Sequence, residues 1–139
     1  MTNLRARGIS RPLMLSLAGA LLGLSAARAD SWTSTDGLYQ LDFESEIEPL
    51  AINRLHRWTV TLTDRDGNPV VSADIEVTGG MPEHNHGLPT VPQVTGELGD
   101  GRYVLEGMRF HMQGYWELVF AIDSALGKDT VIVDITIDR

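Results

Sequence analysis

The 139-residue sequence contains no cysteine. That absence excludes disulfides, a lipid-modified cysteine anchor, thiolate zinc sites and the His₂Cys ligand set of blue-copper electron carriers. Any metal bound here must be held by His, Met or carboxylate. Cohesion must come from burial and sheet hydrogen bonds alone, which is demanding for a small domain.

Long apolar runs are also missing. The longest, Leu13 to Leu24, spans 12 residues, whereas a membrane-crossing helix needs about 20. It follows the basic residues Arg5, Arg7 and Arg11 and precedes Ala27-Arg28-Ala29. A basic stretch, a short apolar stretch and a small-x-small site are the order of a cleavable Sec signal peptide, here residues 1–29. An uncleaved anchor is the alternative reading. No adjacent arginine pair marks the twin-arginine route. The expectation is a periplasmic protein of residues 30–139 with no membrane span in the mature chain.

Positive charge is scarce beyond the leader. Seven basic residues face 19 acidic ones after position 29, a net charge of −12 against −8 for the whole chain. Such a surface repels phosphate backbones and anionic lipid and tolerates cations, so no nucleic-acid partner is expected. Helical periodicity, internal repeats and low-complexity tracts are absent from the same region.

Period-two alternation is what is present. Residues 30–37 read as a loose polar lead-in, and 38–139 as one domain. Tyr39, Leu41, Phe43 and Ile47 mark the inner face of a first strand, and His56, Trp58, Val60 and Leu62 that of a second. Asp64 to Pro69 is a turn cluster, followed by alternating Ala73, Ile75 and Val77. Residues 79–93, with three Pro and three Gly, read as an irregular loop. Val94 to Leu98, Arg102 to Met108, Tyr115 to Ile122 and Val131 to Ile137 supply further strands. The pattern predicts an all-β fold, an antiparallel Ig-like β-sandwich of about seven strands.

Six of the seven His and Met residues beyond the leader fall in two short segments. These are Met81-Pro82-Glu83-His84-Asn85-His86 and Met108-Arg109-Phe110-His111-Met112; the seventh is His56. An extended His84-x-His86 would point both imidazoles to one side. Thioether sulfur favours Cu(I), and imidazole suits copper in either oxidation state. Each residue alone also has a bland reading. Met108 can be core filler beside Tyr103 and Leu105, His111 a hydrogen-bonded corner, and His84 and His86 solvated loop residues. His56 alternates with Trp58 and Val60 and reads as structural.

Other chemistries fit less well. The cupin pattern fails twice, because Gly79 stands one residue too close to His84 and Thr90 and Val91 occupy the positions where its Glu belongs. No nucleophile elbow supports a serine triad. A zinc enzyme could use His84, His86 and His111, yet only Glu83 offers itself as a base. The expectation is therefore a non-enzyme.

The run Gly79-Gly80-Met81-Pro82-Glu83-His84-Asn85-His86-Gly87-Leu88-Pro89 resembles the YtkA-like domain family, whose relatives include FixH-like proteins. The stretch from Gly101 through Met108, His111 and Met112 to Trp116-Glu117-Leu118 resembles that family's second block. The resemblance spans roughly residues 39–137. It implies an Ig-like envelope domain connected with copper handling or oxidase assembly. The implied ligands are His84, His86 and His111 with the nearby methionines, Met112 foremost and Met81 and Met108 less central. Copper would be the cofactor, held for delivery or sequestration, with an envelope cuproprotein or oxidase-assembly factor as partner. Many FixH-like members keep a transmembrane anchor, and the cleavable leader here favours a soluble binder. A second reading is a metal-free interaction module, with Pro82, Pro89 and Pro92 stiffening a recognition loop and Trp116 and Phe110 making apolar contacts.

Overall fold

Alternating sequences make one-sided strands, and one-sided strands must close their apolar faces over a shared core. The computed structural model describes residues 30–138. The expected leader, residues 1–29, and Arg139 lie outside the described residues. The strands are β1 (Trp32–Thr33), β2 (Tyr39–Ser45), β3 (His56–Asp64), β4 (Asp74–Met81), β5 (His86–Gly87), β6 (Gln93–Gly99), β7 (Arg102–Met108), β8 (Gly114–Ser124) and β9 (Gly127–Ile137). Seven of them hold seven residues or more, while β1 and β5 hold two each. The seven long strands are those the alternation predicts.

All pairings are antiparallel, along the path β1-β2-β3-β7-β6-β4-β8-β9 with β5 added to β4. The path has a weak seam, because β4 and β6 share the single register pair Glu76↔Gln93. That seam divides the sheet into two leaves. On the far side the Thr35 N–H donates to the Thr130 carbonyl at 2.8 Å, so the leaves are also drawn together there. Among the described residues there is no α-helix, and none long and apolar enough to cross a membrane.

The core follows the alternation closely. Tyr39, Leu41, Trp58, Val60, Leu62, Tyr103, Leu105, Trp116, Leu118, Phe120, Val131 and Val133 are all buried. A fully buried side chain of this size stabilises by about 1.5–3 kcal/mol, which is how a cysteine-free domain can hold. Phe43 lies flat on Trp58, ring centroids 3.8 Å apart, and Trp32 continues the stack at 5.4 Å.

Two expectations need correction. The lead-in, residues 30–37, is not loose. Trp32–Thr33 pairs with β2, the Ser34 hydroxyl accepts from the Tyr39 N–H at 2.8 Å, and the Asp129 carboxylate accepts from the Asp36 N–H at 3.1 Å. The last two run through side chains, and one of them reaches across 93 positions, so the polarity of the segment hides them. Residues 79–93 are not one irregular loop either, because β4 runs through Gly79 and Gly80 to Met81. The glycines serve proximity here. A Cβ on Gly79 would meet the Glu117 carbonyl at 2.8 Å, and one on Gly80 would collide with the His86 carbonyl.

Candidate functional site

The bare backbone at Gly80 lets β5 fold onto the end of β4, with Met81 opposite His86. Between them Pro82–His84 makes one 3₁₀ turn, opened by Pro82 and ended by Asn85 in the left-handed region at φ 53°. Proline suits a first helical turn, and asparagine tolerates positive φ better than most residues. His84 and His86 therefore do not sit on one extended strand. The extended backbone expected for the pair is replaced by a turn that leaves His84 exposed and His86 half-buried, with the two rings still stacked, centroids 5.9 Å apart.

The second segment arrives from the opposite direction. β7 ends at Met108, β8 begins at Gly114, and the corner between them carries His111 and Met112. Phe110 is fully buried and its carbonyl accepts from the Asn53 N–H at 2.7 Å, which fixes the first half of the corner. The Trp116 indole N–H donates to the Met112 carbonyl at 3.1 Å, which fixes the second half. Since β4 and β8 are neighbours, with Gly80 opposite Glu117, the two His/Met segments meet.

Three side chains converge there. His86 Nε2 lies 3.3 Å from Met112 Sδ, and the His86 and His111 rings are 4.7 Å apart. Trp116 packs steeply against both rings, at 5.8 and 5.5 Å. His86 Nδ1 stands 3.1 Å from the Gly87 carbonyl, an acceptor only, a contact that the tautomer with the proton on Nδ1 satisfies. In that tautomer Nε2 presents a lone pair to a thioether that also presents lone pairs. Nearby, His111 Nδ1 is buried with no hydrogen-bond partner.

The remaining candidates separate. Met81 is buried, and its methyl lies 3.0 Å from where a Gly114 Cβ would stand, so it borders the corner from inside. Met108 is fully buried in the β3–β7 pair opposite His56, in the position of core filler. His56 is buried as expected, with Nδ1 3.0 Å from the Arg54 carbonyl, though its Nε2 has no partner. Trp116 and Phe110 are fully buried, which corrects their assignment to an exposed contact surface.

Sequence reasoning gave Trp116 only a place on an apolar contact surface and gave Glu117 no role, and it put neither at the His/Met cluster. Glu117 is half-buried and lines the groove beside Met81 and His86. The sequence signal for both was their place in the strand Tyr115 to Ile122 and in the second family block, which speaks equally for plain core packing. Tyr115, between them and the corner, donates to Asp134 at 2.6 Å. That bond pushes its pKa up to about 12, so it offers no phenolate to a cation.

Among the described residues no three His, Asp or Glu side chains are grouped to hold an ion. A nitrogen-only site of His84, His86 and His111 is not assembled. A mixed site fits better. Bonds of about 2.0 Å to nitrogen and about 2.3 Å to sulfur at a tetrahedral centre place the two donors roughly 3.5 Å apart. The 3.3 Å between His86 Nε2 and Met112 Sδ is close to that separation, and the orphaned His111 nitrogen is a third donor in need of a partner. His86, His111 and Met112 would hold a soft ion.

The sequence model of the YtkA-like family matches residues 33–120. The chain belongs to that family, and the match covers both His/Met segments. No curated protein matches closely enough to count as a relative. One solved structure, described as ZirS C-terminal Domain, shares 17% identity at a TM-score of 0.44. The alignment covers 98% of this chain and 87% of that one. That likeness is too loose to bear on the fold, which rests on the strand pairing itself.

Proposed function

We propose that this is a periplasmic copper-binding protein, not an enzyme, that holds Cu(I) for delivery or sequestration. His86, His111 and Met112 form the ligand set, and the exposed His84 completes it from the 3₁₀ turn. Met81 borders the set from the core side. One observation carries the reading. Two potential ligand atoms, His86 Nε2 and Met112 Sδ, face each other at 3.3 Å while the other His86 nitrogen lies within hydrogen-bond distance of a backbone carbonyl. Ligand histidines commonly hold their second nitrogen in this way. A thioether in the set favours a soft ion over zinc or a hard cation. The net charge of −12 beyond residue 29 adds long-range attraction for any cation.

Delivery to an envelope cuproprotein or an oxidase-assembly factor suits a site at one end of the sandwich, with His84 exposed on a turn. A competition titration of Cu(I), under reducing conditions against a colorimetric chelator, tests the assignment with Zn(II) run in parallel. One equivalent of Cu(I) retained against the chelator, with much weaker zinc binding, is the expected result. If neither ion binds, the copper assignment is lost.

A further inference from the structure

We infer that Trp116 is the positioning residue that sets the thioether arm of this site, and through it the preference for a soft ion over Zn(II). The inference rests on the ligand set proposed above and concerns a residue that is not itself a ligand. Trp116 is fully buried on β8, so its ring position is fixed by the core and does not depend on what occupies the site. Its N–H donates to the Met112 carbonyl at 3.1 Å, four residues back along the chain.

Met112 needs that tether. It lies on an irregular corner with no strand partner of its own, and methionine has three rotatable side-chain bonds. Without a fixed backbone, the sulfur would sample positions far from His86. With it, the sulfur rests 3.3 Å from Nε2. The same indole packs steeply against His86 and His111, with centroids at 5.8 and 5.5 Å, and narrows the rotations open to both rings. One core side chain therefore organises two nitrogen donors by contact and one sulfur donor by a hydrogen bond. Loss of the N–H alone should loosen the sulfur while leaving the nitrogens packed. Softness would then fall faster than affinity in general.

Trp116→Phe removes the N–H and keeps an aromatic ring. Replacement of Trp116 by benzothienylalanine removes it with the ring volume intact, which covers the case in which phenylalanine leaves the core poorly packed. A net hydrogen bond corresponds to about 3- to 10-fold in an equilibrium constant. Cu(I) affinity should fall by about that factor in either variant, with Zn(II) affinity unchanged within about twofold. In a Met112→Leu background the same replacements should change Cu(I) affinity no further, since coupled residues are non-additive.

A readout on the metal-free protein keeps this separate from the copper assignment. With ¹³C-methyl methionine, the Met112 methyl signal should collapse toward a motionally averaged shift in both variants. The Met81 and Met108 signals should stay dispersed and report an intact fold. An unmoved Met112 methyl would overturn the inference, as would equal losses of Cu(I) and Zn(II) or an undiminished effect in the Met112→Leu background. If the unmodified protein binds no Cu(I), the copper assignment and the preference for a soft ion fall together. The methyl signal then still decides whether Trp116 holds Met112.

Discussion

The two ends of the sandwich are both rich in groups that could bind a cation, and they treat those groups in opposite ways. At one end, where β4 begins and β8 gives way to β9, Asp36, Asp74, Glu76, Asp123 and Asp129 line a cleft with Lys128. The buried one, Asp129, is fully engaged. Its carboxylate accepts from the N–H groups of Asp36, Leu38 and Thr130, and Lys128 pairs with Asp123 at 3.2 Å. At the other end, where β4 finishes and β8 starts, His111 Nδ1 has no partner and His86 Nε2 faces only a thioether. Buried polar groups in folded proteins nearly always find hydrogen bonds, so an end that leaves them unmade is the one with an unmet partner. Formal charge alone would have chosen the acidic end.

The largest effect expected from this contrast is on metal binding at the His/Met end. The double change His86→Ala and His111→Ala should weaken Cu(I) binding by at least about 1,000-fold, or roughly 4 kcal/mol. Thermal stability should change little, since both rings are only half-buried. Competition titration checks the first part and a melting curve the second. Retained affinity would mean that the His86 and His111 nitrogens have no ligand role.

A smaller effect follows from how the same end is built. Gly80→Ala places a methyl against the His86 carbonyl, a backbone atom that can yield only if β5 moves. Overpacking of this kind costs about 1–3 kcal/mol. It should also displace His86 from Met112, so the melting temperature and Cu(I) affinity should fall together. A fall in stability without a fall in affinity would place the ligands elsewhere.

How much of this was legible in the sequence depends on what each feature rests on. The seven long strands were legible because burial at every second residue leaves its trace in Trp58-Val60-Leu62 or Val131-Val133. The two His/Met segments were legible as clusters, since composition survives folding. Their geometry was not. Nothing in local periodicity says that Gly79 and Gly80 continue a strand, or that Asn85 turns left-handed between two histidines. The roles of Met108 and Met112 diverge although they stand four residues apart. One ends a strand opposite His56, and the other sits on a corner anchored by Asn53 and Trp116. The Asn53 anchor is a long-range contact and the Trp116 anchor is a side-chain bond to a backbone carbonyl, and one-dimensional patterns carry neither. The lead-in was missed because Asp129 reaches it from 93 positions away.

At the acidic end the expected effects are on stability and on its pH dependence. Burial alone would raise the pKa of Asp129, but hydrogen bonds from the Ser34 hydroxyl and the N–H groups of Asp36, Thr130 and Leu38 outweigh it and hold the pKa below the usual carboxylate value. A group whose folded pKa is depressed contributes fully above its unfolded pKa of about 3.9 and loses that contribution as pH falls through the folded value. Asp129→Ala should cost about 1–2 kcal/mol at neutral pH, a modest figure because the cleft is open to water and its charges are screened. Below about pH 4 the gap between variant and parent should narrow. Denaturant titrations at pH 7 and pH 3 measure both, and a gap that stays constant would assign the loss to packing instead of charge.

The smallest effect is the one that separates core methionine from ligand methionine. Met108→Leu conserves volume in a fully buried site, so stability should change by less than about 1.5 kcal/mol. Cu(I) affinity should remain within about twofold, while Met112→Leu should lower it by about tenfold or more, the loss of one soft donor. The two leucine variants are chemically identical changes four residues apart. If Met108→Leu weakened Cu(I) as much as Met112→Leu, the soft donors would extend into the β3–β7 pair toward His56 Nε2, the other buried imidazole nitrogen without a partner. The proposed boundary of the site would then have to move inward. With the expected asymmetry, the boundary falls at the corner that Trp116 holds.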